Sequence, residues 1–308
     1  MHPADHKGVP TVTVTIFLQQ LVNGVSLGSL YGLVAIGYTM VYGILRLINF
    51  AHGDLLMFAA YTAIYGVALF TLPWYVSFPL AILITGMMGI LLDRAAYRPL
   101  RNAPRISLLI SAIGASFLLE NLALVLLGGV PKAFPRPPMF DQVIEFWGLR
   151  VQVLTLYTPV ITLLLLFGLL FIVYRTKTGK AMRAASKDFE TTRLMGVNLD
   201  RIIAVTFLLG SSLAAAGGIM WAMKYPQVNP FMGVFPGLKA FIAAVLGGIG
   251  NIVGAVIGGF LLGLGEILIV ALLPGLAQYR DAFAFVILIV VLLFRPTGIM
   301  GEAITDKA

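Results

Sequence analysis

The sequence predicts an all-α polytopic membrane protein of eight to ten transmembrane helices, some of them broken or half-length. Three observations carry this. Of the 308 residues, 59% are hydrophobic and only 11% charged, whereas soluble domains carry about 25% charge. Apolar runs of ~20 residues recur along the chain, the length a helix needs to cross a bilayer. The runs are continuously apolar, not alternating, which argues against a barrel and leaves helices to satisfy their own backbone groups in lipid. A single domain over residues 1–308 follows, with the lipid bilayer as its solvent.

The first apolar stretch, residues 11–48, is too long for one perpendicular span. One long tilted helix and a broken pair both fit it. Gly24, Gly28 and Gly32 recur at four-residue steps, a small-xxx-small pattern that lets helices approach closely in lipid. The preceding MHPADHKGVP lacks the basic-then-apolar plan of a cleavable signal, so the first run is expected to stay in the membrane. Arg46, Asn49, His52, Gly53 and Asp54 then interrupt the apolar pattern. Two readings are open here. One is a tight turn at the membrane surface, with Gly53 stopping a helix and Asp54 capping the next. The other is an unwound segment lining a pathway.

Residues 55–72 and 74–92 read as spans. Residues 93–105 follow, with four Arg, one Asp and two Pro, a short loop on the cytoplasmic side by the positive-inside rule. The span 106–128 carries Glu120 and Asn121 well inside it. A charge at the bilayer centre costs ~2.5–3.5 kcal/mol on insertion scales, so Glu120 must face protein or water. It is either a structural partner between helices or a pathway group. Asn49, His52, Glu120 and Asn121 are the candidate pathway residues. Residues 129–152, stiffened by Pro131, Pro135, Pro137 and Pro138, form an external loop by alternation.

The span 153–174 delivers the one long charged segment, residues 175–201, in which seven of 27 residues are Lys or Arg and three are acidic. That excess places it in the cytoplasm. A helix is predicted over 179–195, with Gly196 at the stop and Asn198 capping the next helix. Met182, Ala185 and Phe189 make a narrow apolar stripe along it. Its mixed charge suits a groove on a protein partner better than anionic lipid.

After a span at 202–223 comes a second external loop, 224–236. Residues 237–250 are short for a full span, so a half-helix or tilted segment is expected. The span 252–273 continues small-residue steps at Gly250, Gly254 and Gly258 and at Gly259 and Gly263, the mark of close helix contact. Lys239 and Glu266 are the ionisable residues here, expected to pair with other subunits or to sit near an interface. The last span, 282–294, is stopped by Arg295-Pro296 at the cytoplasmic face, with a short mobile tail to residue 308. Breaks at Asn49 and Asn251 suggest an internal repeat around a midplane pathway.

Several chemistries are excluded. There is no Cys, hence no disulfide or thiolate site. His2, His6 and His52 are too scattered for a metal centre. The net charge of +8 does not point to nucleic acid, because 11 of the 21 Lys and Arg fall in the two cytoplasmic loops, where topology accounts for them. Gly179-Lys180 is followed by Ala181, and Tyr174 stands where a phosphate loop needs Gly, so no nucleotide site is encoded. Gly24-Val-Ser26-Leu-Gly28 spells GxSxG inside an apolar helical run, where its small residues serve packing and not a nucleophile elbow. No enzyme activity and no cofactor are expected.

The chain resembles the LivH-type permease subunits of bacterial ABC importers for branched-chain amino acids. The resemblance rests on NGVSLGSLYGLVAIGYTMVYGILRLINFAHGDLLMFAAY from Asn23, GKAMRAASKDFETTRLMGVNLDR from Gly179, KAFIAAVLGGIGNIVGAVIGGFLLG from Lys239 and RPTGIMG from Arg295. It implies a subunit of the bacterial inner membrane that carries Leu, Ile and Val with no chemistry of its own. The implied partners are a second, LivM-like permease, two cytoplasmic ATPases and a periplasmic binding protein. It also implies that 175–201 is the coupling loop. Ala185, Asp188, Phe189, Arg193, Leu194 and Gly196 are the residues expected to meet the ATPase. Asp188, Thr191 and Gly196 only approximate the EAA-like pattern of importer permeases. The competing expectation is a stand-alone, ion-coupled secondary transporter using Glu120, Glu266 and Lys239.

Overall fold

The computed structural model describes residues 14–101 and 103–301; residues 1–13, with His2 and His6, and the tail 302–308 lie outside the described residues. Among the described residues, seven helices are long and apolar enough to cross a membrane. They are α1 (Val14–Leu45), α3 (Trp74–Leu92, prolonged by a π turn at Asp93–Tyr97 and a 3-10 turn at Arg98–Leu100), α4 (Arg105–Leu127), α6 (Val153–Arg175), α9 (Leu199–Lys224), α11 (Ile252–Leu272) and α12 (Arg280–Phe294, entered through a 3-10 turn at Pro274–Tyr279). Two shorter helices lie inside the bundle, α2 (His52–Ala68) and α10 (Val234–Gly247). The all-α polytopic expectation holds, with both short segments starting part-way through the bundle.

The first apolar stretch is one continuous helix of 32 residues, about 48 Å at 1.5 Å per residue. From Gly24 onward α1 is almost wholly buried. It lies between α11, α9, α10 and α6. Its small-residue face meets α11 backbone to backbone. A Cβ on Gly28 would sit 2.7 Å from Phe260 Cα, and one on Gly263 would strike the Gly28 backbone. The opposite side of α11 does the same with α10, where a Cβ on Gly258 would strike the Ala243 carbonyl. The two small-residue series in α11 therefore serve two different neighbours. Without a hydrophobic drive between helices in lipid, such close packing is what holds them together.

The two halves run in opposite directions. α1 packs on α11 and α9 packs on α3, while α1 and α9 cross at Gly37 and Gly210. α2 rests on α9, and α10 rests on α1. A Cβ on Gly37 would lie 2.5 Å from the Gly210 carbonyl oxygen. The break at 46–51 thus corresponds to the break at 225–233, since each leads into a short interior helix. The pairing of Asn49 with Asn251 does not hold. Asn251 instead caps α11, accepting from Gly254 N at 2.9 Å, and donates to the Met300 carbonyl at 3.0 Å.

One face of the bundle carries the ends of α6 and α1 and the start of α9. It also carries α7 (Lys177–Lys187), α8 (Phe189–Leu194) and the Arg-rich turn after α3. The other carries a hairpin, β2 (Val143–Phe146) with β3 (Leu149–Gln152), and the short helix α5 (Pro138–Asp141). Two-residue strands β1 (Lys132–Ala133) and β4 (Gln227–Val228) pair there too, placing the loops 129–152 and 224–236 on the same side. The chain beyond α12 is not a free end as far as residue 301. Ile299 and Met300 donate backbone N–H to the Leu246 and Gly247 carbonyls at 2.9 Å, satisfying acceptors that the end of α10 leaves open.

Candidate functional site

After α1 ends at Leu45, the chain turns through Arg46 in the left-handed region (φ 51°). It then re-enters the bundle. His52 reaches back to the Val34 carbonyl, with Nε2 at 3.2 Å, roughly 16 Å before the end of α1 at helical rise. Helix α2 therefore begins in the interior. Gly53 does not stop a helix and Asp54 does not cap one, since the N-cap position is Ala51 and makes no side-chain cap bond. Residues 46–51 are unwound, as one of the two readings expected.

The N-terminus of α10 meets the N-terminus of α2 at this depth. A Cβ on Gly53 would lie 2.5 Å from the Gly233 carbonyl oxygen and 3.3 Å from Gly237 Cα. Beside this meeting point is a cavity of about 200 Å³ bounded by α1, α2, α4 and α10. Its polar wall is Tyr38, Asp54, Ser116 and Glu120; Ile113, Phe117 and Leu238 supply apolar wall. Ser116 donates to Asp54 Oδ2 at 2.6 Å, and Glu120 lines the same cavity. Asp54 is 2% and Glu120 8% exposed.

Of the four expected pathway residues, Glu120 lines this cavity. His52 lies behind it, its ring 4.6 Å from that of Tyr38. Asn49 is buried and accepts from the Tyr97 hydroxyl at 2.9 Å, so these two anchor the re-entrant segment. Asn121 is not brought to the others. It is on the exposed side of α4 and bonds back to the Phe117 carbonyl at 2.8 Å. Asp54, Ser116 and Tyr38 were missed. Ile113, Ser116, Phe117 and Glu120 recur at helical spacing on one face of α4, a signal that was available. Asp54 was obscured by its resemblance to a cap.

Lys239 and Glu266 pair with each other inside the chain. Lys239 Nζ lies 2.9 Å from Glu266 Oε1 and 2.7 Å from Asp281, and the Tyr31 hydroxyl donates to Glu266 at 3.1 Å. This cluster joins α1, α10, α11 and α12.

On the charged face, the single helix expected over 179–195 is two. Thr176 caps α7, accepting from Gly179 N at 3.1 Å. Asp188 ends α7 and caps α8, accepting from Thr191 N at 3.2 Å. Gly196 (φ 80°) closes α8, and Asn198 caps α9 through Arg201 N at 3.1 Å, as the sequence predicted. The apolar stripe is divided. Met182 and Ala185 are buried against the bundle, whereas Phe189 faces outward. Leu194 and Met195 are 87% and 80% exposed. Asp188, Arg193 and Gly196 are exposed beside them. The Arg-rich turn is more than a topology signal. Arg98 and Arg101 each reach Asp200 at 2.5 Å, and Arg101 also reaches the buried Asp93 at 2.6 Å. The end of α3 is thereby tied to the start of α9.

Comparison with known proteins is consistent along the chain. Residues 20–292 match the family described as branched-chain amino acid transport system / permease component. BraD of Pseudomonas aeruginosa, a high-affinity branched-chain amino acid transport system permease protein, is 42% identical over 302 residues, covering 94% of this chain and 98% of that protein. LivH of Escherichia coli, of the same description, is 40% identical over 94% of this chain and 97% of its own length. Among solved structures, a metal-chelate-type ABC transporter in an inward-facing conformation superposes with a TM-score of 0.50 at 17% identity, over 94% of this chain and 91% of that one. That likeness concerns the fold alone.

Proposed function

The chain belongs to the permease components of branched-chain amino acid transport systems, and from that premise we propose that it is one membrane half of an ABC importer for Leu, Ile and Val. The observation that carries this is identity above 40% to a branched-chain amino acid permease across nearly the full length of both proteins. ATP hydrolysis belongs to two separate cytoplasmic subunits, and a second permease of LivM type completes the pore. The face bearing α7 and α8 is the cytoplasmic one, supported by its Lys and Arg excess; the C-terminus lies there too. The hairpin face meets the periplasmic binding protein, and the membrane is the bacterial inner membrane.

The coupling segment is 175–201, with α8 and the turn after it as the part that touches the ATPase. Phe189, Arg193, Leu194 and Gly196 supply the contact, and Asp188 sets the angle between the two helices. Ala185 acts from behind, because it is buried on the permease side. A push on α8 has rigid outlets. A Cβ on Gly179 would strike the Ile172 and Val173 carbonyls, so α7 moves with α6. The Asp200 ion pairs carry displacement from α9 to α3. Alternating access follows as motion of one half against the other about the interior helix starts.

The test is co-purification of the chain with its neighbouring ATPases and second permease, followed by leucine uptake into proteoliposomes. Uptake that requires ATP and all subunits supports the importer. Uptake by this chain alone on a proton gradient overturns it in favour of a secondary transporter.

A further inference from the structure

Among the described residues, buried carboxylates fall into two groups. Glu266 has Lys239, and Asp93 has Arg101. Asp54 and Glu120 have no Lys, Arg or His within ion-pairing distance, although both are inside the bundle and line one cavity. Carboxylates so placed cost free energy unless a cation or hydrogen-bond donors meet them. Ser116 supplies one donor to Asp54. A second observation concerns Tyr38. It is 3% exposed, lines the same cavity, and its hydroxyl makes no hydrogen bond among the described residues. A hydroxyl on a cavity wall with no protein partner is free to bond a guest.

The starts of α2 and α10 line the same cavity, at Gly53 and Gly233, with Asp54 itself in the first turn of α2. His52 N and Val234 N are taken by the Asn49 and Phe231 carbonyls, and the positive end of each helix dipole still favours negative charge nearby. The cavity thus combines a place for a cation, a place for an anion and an apolar surface at Ile113 and Phe117. At about 200 Å³ it is smaller than the ~300–1,000 Å³ pockets of drug-sized ligands, which suits a compact guest.

We propose that this cavity is a binding site for an apolar amino acid in zwitterionic form. Its ammonium group lies between Asp54 and Glu120, its carboxylate against the helix starts and the Tyr38 hydroxyl, and its side chain on Ile113 and Phe117. The proposal rests on the importer reading and adds to it a recognition step within the membrane, separate from any selection by the binding protein.

The experiment uses the full transporter assembly in detergent and in proteoliposomes. Equilibrium binding of radiolabelled L-leucine is measured, with isopentylamine (cation only) and 4-methylpentanoate (anion only) as competitors. In the wild type, leucine binds and each half-analogue competes weakly. Glu120→Gln and Asp54→Asn weaken leucine binding at least tenfold and abolish competition by the amine. Tyr38→Phe weakens leucine and the acid but leaves the amine unchanged. Should Asp54→Asn fail to assemble, Ile113→Trp fills the apolar wall and serves instead, with the same loss of leucine binding. Leucine binding and uptake equal to wild type in these variants overturn the site while leaving the importer reading intact. A wild-type assembly that neither binds nor carries leucine overturns both.

Discussion

Lys239 and Glu266, 27 positions apart on α10 and α11, hold each other at 2.9 Å with 4% and 0% exposure. Removing one partner of such a pair strands the other charge in the interior. Lys239→Met should therefore destabilise the folded chain by ~3–5 kcal/mol. The double change Lys239→Met with Glu266→Gln should recover a large part of that. Thermal unfolding of the purified assembly in detergent reads both. A single variant as stable as wild type would show that the Tyr31 hydroxyl and Arg280, whose Nε lies 3.9 Å from Glu266 Oε2, suffice for Glu266.

At Gly28 and Gly263 the α1–α11 contact admits no side chain. Gly263→Val puts its branch into the Gly28 backbone, and the helices must separate, losing the packing that holds them in lipid. Membrane-inserted, monodisperse protein should fall several-fold. Gly114→Ala on α4, with nothing within 4 Å of the new atom, should express at the wild-type level. Equal yields for both variants would contradict the packing described.

Leu194→Ser with Met195→Ser changes two exposed side chains. Chain stability should stay within about 0.5 kcal/mol, as for ordinary surface changes, while co-purification of the ATPases and ATP-driven uptake fall at least tenfold. Met182→Ser should do the reverse, lowering stability first because Met182 is buried. Full coupling in the Leu194/Met195 variant would remove α8 from the docking surface.

Tyr97→Phe removes the donor to Asn49 and leaves a buried amide oxygen unmet, at a cost of ~1–3 kcal/mol. Because Asn49 sits in the re-entrant segment, hydrogen exchange should rise at residues 46–54 before it rises elsewhere. Exchange increased only in α3 would place the effect outside that segment.

The helices themselves were legible because lipid imposes length and hydropathy. Gly28, Gly259 and Gly263 could be read as close-packing residues, but which helix each one faced could not, since four-residue spacing carries no partner identity. The caps at Asn198 and Gly196 were legible because their chemistry is local. The break at Asp188 was not. Helix-forming residues flank it, and a side chain that can cap also tolerates a helix interior. Asp54 looked like a cap for the same reason, and only the tertiary return of residues 46–52 alongside α1 shows that it faces a cavity. Lys239 and Glu266 looked like interface charges because nothing local reveals that α10 and α11 lie side by side in this register.

The ribosome delivers α1 about two hundred residues before α11, yet the two meet backbone to backbone. A nascent permease must therefore keep the glycine-lined groove of α1 vacant while the intervening chain enters the membrane. Contacts this distant in sequence form slowly and leave exposed surfaces in the interval. Biogenesis of this subunit should depend on an insertion factor that shelters α1. Chains truncated before α11 should then remain bound to that factor and be cleared by proteolysis.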